Sequence, residues 1–362
     1  GLADTTSLIV GSIIGSGIFL VPQAVAKQLP SFGVVLLVWL AGGALTLFGA
    51  LSLAELGAAY PRAGGLYVYL SQAYGRPVGF LYGWGLLAMI HSGSIATLAV
   101  AFGLYLGRLL PLGPAGEKAA GLASVLFLTG VNCLGVRAGK RVQNLFTAAK
   151  LGGLGLMTAV LLWRGSPVEL FSERFWPEEG AHWEWLPFGM ALVGVLWAYE
   201  GWHVVSFTAE EVRQPARNLP RSLLYGALII AGIYLLVNVA YYSVLSGSEI
   251  ASSETVAATA TTRAAGATAG GLISLLILIS IFGAMNGMVL SGPRVYFAMA
   301  RDGLFFSALG RLNARWHAPV TALLVQGAWA AALAMTGTFR GLFTYVVFTA
   351  WIFYGATVAG VI

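Results

Sequence analysis

The chain has 362 residues, 58% of them hydrophobic and only 9% charged, with a net charge of +6. A soluble domain carries about 25% charged residues, so this composition excludes a soluble globular protein and indicates a polytopic membrane protein. No basic patch is interleaved with exposed aromatics in a polar segment, which argues against nucleic acid, and period-2 alternation is absent, which excludes an outer-membrane barrel.

Ten apolar stretches follow in chain order: roughly Leu2–Val25, Gly33–Ala59, Val78–Leu110, Ala119–Val136, Val142–Trp163, Pro187–Ala209, Ser222–Leu245, Thr268–Ala298, Pro319–Thr336 and Gly341–Ile362. Most reach the ~20 residues a helix needs to cross a bilayer. The first has no basic flank and no small-residue cleavage site, so it is read as a span and not as a signal peptide. The chain starts at Gly1 without a Met and stops inside an apolar run, so both tails are expected to be trimmed. The single cysteine, Cys133, lies in the fourth stretch, where it reads as a small buried hydrophobe.

The first stretch carries Gly11-Ser-Ile-Ile-Gly-Ser-Gly-Ile-Phe19. Glycine costs a helix interior about 1 kcal/mol relative to alanine, and clustered glycines should break the helix. Broken backbone is tolerated in a bilayer only inside protein or beside a water-filled cavity. A second candidate break, Trp197-Ala-Tyr-Glu-Gly-Trp202, lies in the sixth stretch. Interrupted helices at matching positions of two halves point to the binding site of a secondary transporter. The ten spans divide into two groups of five, residues 1–164 and 187–362, and an odd number of spans per group makes the second an inverted copy of the first.

Alternate loops hold unequal charge. Twelve Lys and Arg fall on one side and seven on the other, with Lys150 inside a span. The richer side, carrying Arg62, Arg76, Arg213, Arg301 and others, is read as cytoplasmic, with a cytoplasmic N-terminus and the inner or plasma membrane as location. Two longer outer loops stand out: Arg164–Trp185, with interfacial Trp176, Trp183 and Trp185, and Gly247–Gly271, expected to hold a short helix over the mouth.

A helix restarting near Ile18 presents free N–H groups and a positive dipole end, a site for a carboxylate to which Ser16 adds a hydroxyl. Carbonyls of Trp197, Ala198 and Glu200 at the second break are suited to an ammonium. Together the two breaks would grip a zwitterion.

These motifs carry a family resemblance. The chain resembles the amino acid–polyamine–organocation superfamily with its LeuT-type fold, and within it the L-type amino acid transporter family, which includes the light subunits of heteromeric transporters. The likeness rests on Gly11–Phe19, on Ala54-Glu-Leu with Tyr60-Pro-Arg-Ala-Gly-Gly-Leu-Tyr67, and on Val131-Asn-Cys133 with Arg141-Val-Gln-Asn-Leu-Phe-Thr-Ala-Ala-Lys150. It continues through Trp197–Trp202, Glu210–Pro220, and Ser291-Gly-Pro-Arg with Ala298-Met-Ala-Arg-Asp-Gly303. It implies an all-α 5+5 inverted repeat with helices 1 and 6 unwound in mid-membrane.

The resemblance also implies site residues. Ile13, Gly15, Ser16, Gly17 and Ile18 come from the first break, and Trp197, Ala198, Tyr199, Glu200, Gly201 and His203 from the second, with Trp197 as the aromatic gate. Met89, Ile90 and His91 of the third span and Trp351 of the tenth complete the pocket. Lys150 stands where sodium-coupled relatives hold Na⁺, which implies sodium-independent transport. The family usually has twelve spans, so helices 11 and 12 are expected to be missing or removed. The loop Pro111–Ala120 has no cysteine, so no disulfide-linked heavy subunit is expected.

Glu200, an acid within the membrane, is a functional candidate by default. It could contact a cationic substrate, carry a coupling proton or pair structurally. His203 reads as a packed histidine or a proton carrier. Glu210, Glu211, Arg213 and Arg217, with Arg301 and Asp302, form either solvated helix ends or a salt-bridged inner gate. No metal-ligand spacing and no cofactor motif is present, and no nucleophile–base constellation supports an enzyme. The resulting expectation is alternating-access transport of L-amino acids, by sodium-independent exchange of neutral and some cationic substrates. The alternatives are a proton-coupled amino acid or polyamine symporter and a transport-incompetent sensor.

Overall fold

In hydrocarbon a helix satisfies every backbone N–H and C=O within itself, which is why apolar stretches of this length become helices. The computed structural model describes residues 1–29, 31–62, 64–166, 175–176, 185–207, 209 and 212–361, without the side chains of 136–143. Among these residues the regular structure is entirely helical. The first segment is split into α1 (Leu2–Ile13) and α2 (Gly17–Ala26), and the second is α3 (Phe32–Ala59). A short α4 (Leu66–Tyr74) precedes the third segment, which runs as α5 (Arg76–Gly85), a π-helical turn (Leu86–Ile90) and α6 (His91–Leu109). The fourth and fifth are α7 (Gly113–Cys133) and α8 (Val136–Arg164). The sixth is again split, into α9 (Trp185–Ala198) and α10 (Val204–Phe207), and the seventh is α11 (Pro215–Val244). Two short helices, α12 (Gly247–Ser252) and α13 (Val256–Ala265), lead to the eighth, α14 (Ala267–Arg301). The ninth and tenth are α15 (Val320–Thr336) and α16 (Phe339–Ala359).

All ten expected stretches are therefore helical, but they are not equal. Six described helical runs are each long and apolar enough to cross a membrane, and α1 with α2, bent by 43°, makes a seventh. The other three are α9 and α15, which are apolar but shorter, and α7, whose apolarity Glu117 and Lys118 reduce.

Packing follows a pattern. α3 lies along α11, and α6 along α14. α1 packs on α11 while α9 packs on α3; α8 packs on α14 while α16 packs on α6; α6 meets α7 while α14 meets α15. Small residues permit the closest of these approaches: a Cβ at Gly42 of α3 would stand 2.5 Å from Val195 Cγ1 of α9. The π-turn is held by a bond the sequence does not announce. The Trp329 indole N–H of α15 donates to the Ala88 carbonyl at 2.8 Å, as such turns leave backbone groups for neighbours to satisfy.

The outer connections differ in what can be said. Residues 167–174 and 177–184, including Trp183, lie outside the described residues, while Phe175 accepts from the Gly33 N–H at 2.7 Å and Trp176 packs on Phe175. The stretch 247–271 holds two short helices where one was expected. Ser246 and Glu249 cap α12 reciprocally, Arg263 Nη2 of α13 lies 2.6 Å from Glu249 Oε1, and Arg108 at the end of α6 reaches Glu254 at 2.9 Å.

Arg263, helped by the Ser246 N–H and hydroxyl, holds the exposed Glu249 carboxyl down at about 2, below the ~4.3 of a free glutamate. The depressed value means the α12–α13 tie is fully present above the unfolded value and is lost as pH falls through the folded one. The protection factor at Ile250 and Ala251 is accordingly expected to hold from pH 7 to about pH 5 and to fall towards pH 2. Glu249→Gln should lower it near neutral pH and make little difference at the acid end.

Candidate functional site

The first break comprises Ile14, Gly15 and Ser16, and α2 restarts at Gly17, one residue before the restart the sequence suggested. Among the described residues no side chain caps α2, and the buried Ser16 hydroxyl has no partner. The second break falls two residues later than expected. Trp197 and Ala198 remain in α9, and the chain leaves the helix over Tyr199–His203. Gly201, with φ +114°, makes this departure, in a region that costs any residue with a Cβ.

A broken helix strands carbonyls, and four of those beside the breaks find a specific donor. Among the described residues no backbone N–H reaches the carbonyls of Gly11 and Ile14. Lys150 of α8, completely buried, donates from Nζ to Gly11 O at 2.5 Å and to Ile14 O at 2.7 Å. Ser280 of α14 adds a bond from Oγ to Ile14 O at 3.1 Å. Tyr234 of α11, which the sequence reading missed, spans both breaks: its hydroxyl lies 3.2 Å from Ile13 O and 2.9 Å from Ala198 O. Two of the carbonyls expected around an amine thus already share a hydroxyl donor. A carbonyl has a second lone pair, so each can still accept another bond.

The two breaks also touch directly. A Cβ at Gly17 would lie 2.4 Å from Ala198 Cα, and one at Gly201 would lie 3.2 Å from the Ser12 carbonyl. Only glycine permits this backbone-to-backbone contact.

Glu200 is buried in the second break. The Tyr354 hydroxyl of α16 donates to its Oε1 at 2.6 Å and lies 2.9 Å from His203 Nδ1. Glu200 Oε2 is buried and has no partner among the described residues. His91, the first residue of α6, stands with its ring centroid 5.9 Å from that of His203. Trp351 packs on Tyr354 at 6.0 Å, and Ile90 is buried at the end of the π-turn beside a partly exposed Met89. Trp197 stacks on Phe343 of α16 at 6.0 Å. Phe343 in turn lines a cavity of about 380 Å³ between α2, α9 and α16, with Gln23, Lys27 and Arg340 at its wall.

At the Arg-rich end the candidate inner gate is only partly described, because Glu210 and Glu211 lie outside the described residues. Asp302 accepts from the Tyr67 hydroxyl at 2.8 Å and is not paired with Arg301, whose guanidinium lies over the Phe297 ring. No group of three or more His, Cys, Asp and Glu suited to a metal is found among the described residues.

The amino acid permease model matches residues 1–362. The chain belongs to the amino acid permease family. It is 35% identical to the b(0,+)-type amino acid transporter 1 of Homo sapiens, over 100% of this chain and 75% of that protein. It is 36% identical to the serine/threonine exchanger SteT of Bacillus subtilis, over 98% of this chain and 80% of the exchanger. Identity to the human large neutral amino acids transporter small subunit 2 is 34%, over 99% and 68%. The protein is therefore a multi-pass amino acid transporter of LeuT-type fold, and not an enzyme.

Two outcomes are expected of this permease. Lys150→Met leaves the Gly11 and Ile14 carbonyls buried with fewer donors, which should cost about 2 kcal/mol, read as a lower unfolding temperature in detergent together with lost transport. Tyr234→Phe removes one shared hydroxyl and should cost about 1 kcal/mol. It should also slow transport, checked by initial rates in liposomes.

Proposed function

We propose that the protein is a sodium-independent exchanger of L-amino acids, working by alternating access in the plasma membrane with its N-terminus cytoplasmic. One observation carries the reading: the Lys150 ammonium rests on the two carbonyls that the broken first segment leaves free. A fixed positive charge there supplies what a bound cation would otherwise supply, and removes the need to recruit one with each cycle. The names of the relatives support amino acid exchange as a mode, since one is called an exchanger.

The zwitterion is held as follows. The uncapped start of α2 at Gly17 and Ile18, with the Ser16 hydroxyl, takes the α-carboxylate through unpaired N–H groups and the helix dipole. The carbonyls of Ile13, Trp197 and Ala198 receive the α-amine. The side chain extends towards Met89, Ile90, His91 and Trp351, with Glu200 available to a cationic end. Trp197, stacked on Phe343, closes the path from the outer cavity. The packing pattern supports the 5+5 inverted repeat of residues 1–164 and 187–362, because three contacts have mates five segments on: first–seventh with sixth–second, fifth–eighth with tenth–third, third–fourth with eighth–ninth. The loop 111–120 offers no cysteine, in keeping with a transporter that has no disulfide-linked heavy subunit.

A second reading, proton-coupled symport, draws on the buried Glu200–Tyr354–His203 cluster. One experiment separates the two. Purified protein is placed in liposomes loaded with unlabelled leucine, and labelled leucine uptake is measured. Exchange predicts uptake that requires the internal amino acid and is unchanged when choline replaces Na⁺ or when a pH gradient is applied. Uptake into empty liposomes driven by an inward proton gradient would instead establish symport, and steep Na⁺ dependence would remove the Lys150 argument.

A second measurement tests the carboxylate contact. Ser16→Ala deletes a hydroxyl without touching the Gly17–Ala198 junction, and should raise the KM for leucine about tenfold, the equivalent of one buried hydrogen bond to a charged group. Leucinol, which lacks the carboxylate, should compete poorly with the parent protein and no worse with the variant.

A further inference from the structure

Tyr354 is buried against three aromatic rings: its ring centroid lies 5.2 Å from Trp202, 5.1 Å from His203 and 6.0 Å from Trp351. The ring cannot swing, so its hydroxyl is a fixed point. That hydroxyl is 2.6 Å from Glu200 Oε1, a separation typical of an O–H donor on an ionised carboxylate. A phenol has one proton. Spent on the carboxylate, it leaves the oxygen only acceptor capacity towards His203, whose Nδ1 is 2.9 Å away. The same hydroxyl is 3.5 Å from His203 Nε2, so it sits beside the imidazole and off the line of its Nδ1–H, and the histidine packs against Tyr354 without fixing the proton. The donated proton runs from Tyr354 Oη to Glu200 Oε1. It ends on one carboxylate oxygen, while Oε2 is buried and unpartnered among the described residues.

We propose that Tyr354, backed by His203, is a positioning residue that sets the substrate range of this transporter: it fixes Glu200 by one oxygen and so keeps the other aimed at the cationic end of a substrate side chain. The inference rests on the reading of Glu200 given above, and it goes beyond it by naming what makes that carboxylate selective. An unrestrained glutamate has three rotatable bonds and would turn both oxygens to the nearest donors. The cost of holding it still is met before substrate arrives, as preorganised sites require. A leucine side chain makes no use of Oε2, so the device should matter only for lysine-like and arginine-like substrates.

Tyr354→Phe removes one atom and keeps the aromatic packing. Exchange kinetics of labelled arginine, lysine and leucine are measured for the parent, Tyr354→Phe, His203→Leu and Glu200→Gln, alongside unfolding temperatures in detergent. The expected result for Tyr354→Phe is a KM for arginine and lysine raised about tenfold, one charge-assisted hydrogen bond's worth, with kcat for arginine and both constants for leucine within twofold of the parent. His203→Leu, which takes away the ring packed against Tyr354, should shift arginine in the same direction by a smaller factor. A Tyr354→Phe that slows all three substrates alike with a lowered unfolding temperature shows a merely structural tyrosine and overturns the proposal. So does an unchanged arginine KM in Tyr354→Phe while Glu200→Gln loses arginine selectively, and in that case the Glu200 reading survives. If Glu200→Gln leaves arginine, lysine and leucine equally well exchanged, or the parent takes no arginine at all, the Glu200 reading itself fails and this proposal with it.

Discussion

The structure depends on a bargain between one ammonium and two carbonyls. Placing a lysine in a membrane span costs about 2.5–3.5 kcal/mol on insertion scales, and each buried unpaired carbonyl costs about 1–3 kcal/mol. Neither defect is tolerable alone. Lys150 on the Gly11 and Ile14 carbonyls removes both at once, through bonds to a charged group that are each about 1.5–3 kcal/mol in favour. The broken helix thus persists because α8 carries a charge, and the charge persists because the first segment is broken. This mutual dependence fixes α1 against α8 and α14, and leaves α2 with free N–H groups facing the protein interior.

The second constraint is steric. Gly17 against Ala198, and Gly201 against Ser12, bring two unwound backbones within van der Waals contact. Tyr234 then bridges a carbonyl from each with one hydroxyl. Such a junction cannot deform smoothly, because packed backbones have few alternative arrangements. In the proposed binding mode, a ligand that inserts between the breaks moves them as units, as a site that opens alternately to two sides requires. Binding at the breaks and movement of the helices that carry them are coupled by the same few atoms.

How much of this was legible in the sequence differs by the kind of physics involved. The breaks could be placed to within one or two residues because glycine acts on the local helix, and local effects are written in local sequence. Lys150 stood out because a charge in an apolar run is costly wherever the rest of the chain lies. The hydroxyls of Tyr234 and Tyr354 were not legible. A tyrosine in a span reads equally well as core filler or as an interfacial anchor, and only the packing of α11 and α16 against the breaks decides where its oxygen points. The π-turn at Leu86–Ile90 escaped for the same reason, since its freed carbonyl is satisfied from α15 by Trp329, far away in the chain.

The same distinction bears on substrate choice within the family. In the proposed binding mode, contacts to the α-carboxylate and α-amine come from backbone and from the Ser16 hydroxyl, so they depend on where the helices break. Selectivity has to come from side chains that reach the third substituent. In this chain the acid that could supply it, Glu200, is held by the hydroxyl of Tyr354, against which His203 packs one turn along from Glu200. On the proposed role of Tyr354, a change there alters which amino acids are accepted without disturbing the two breaks.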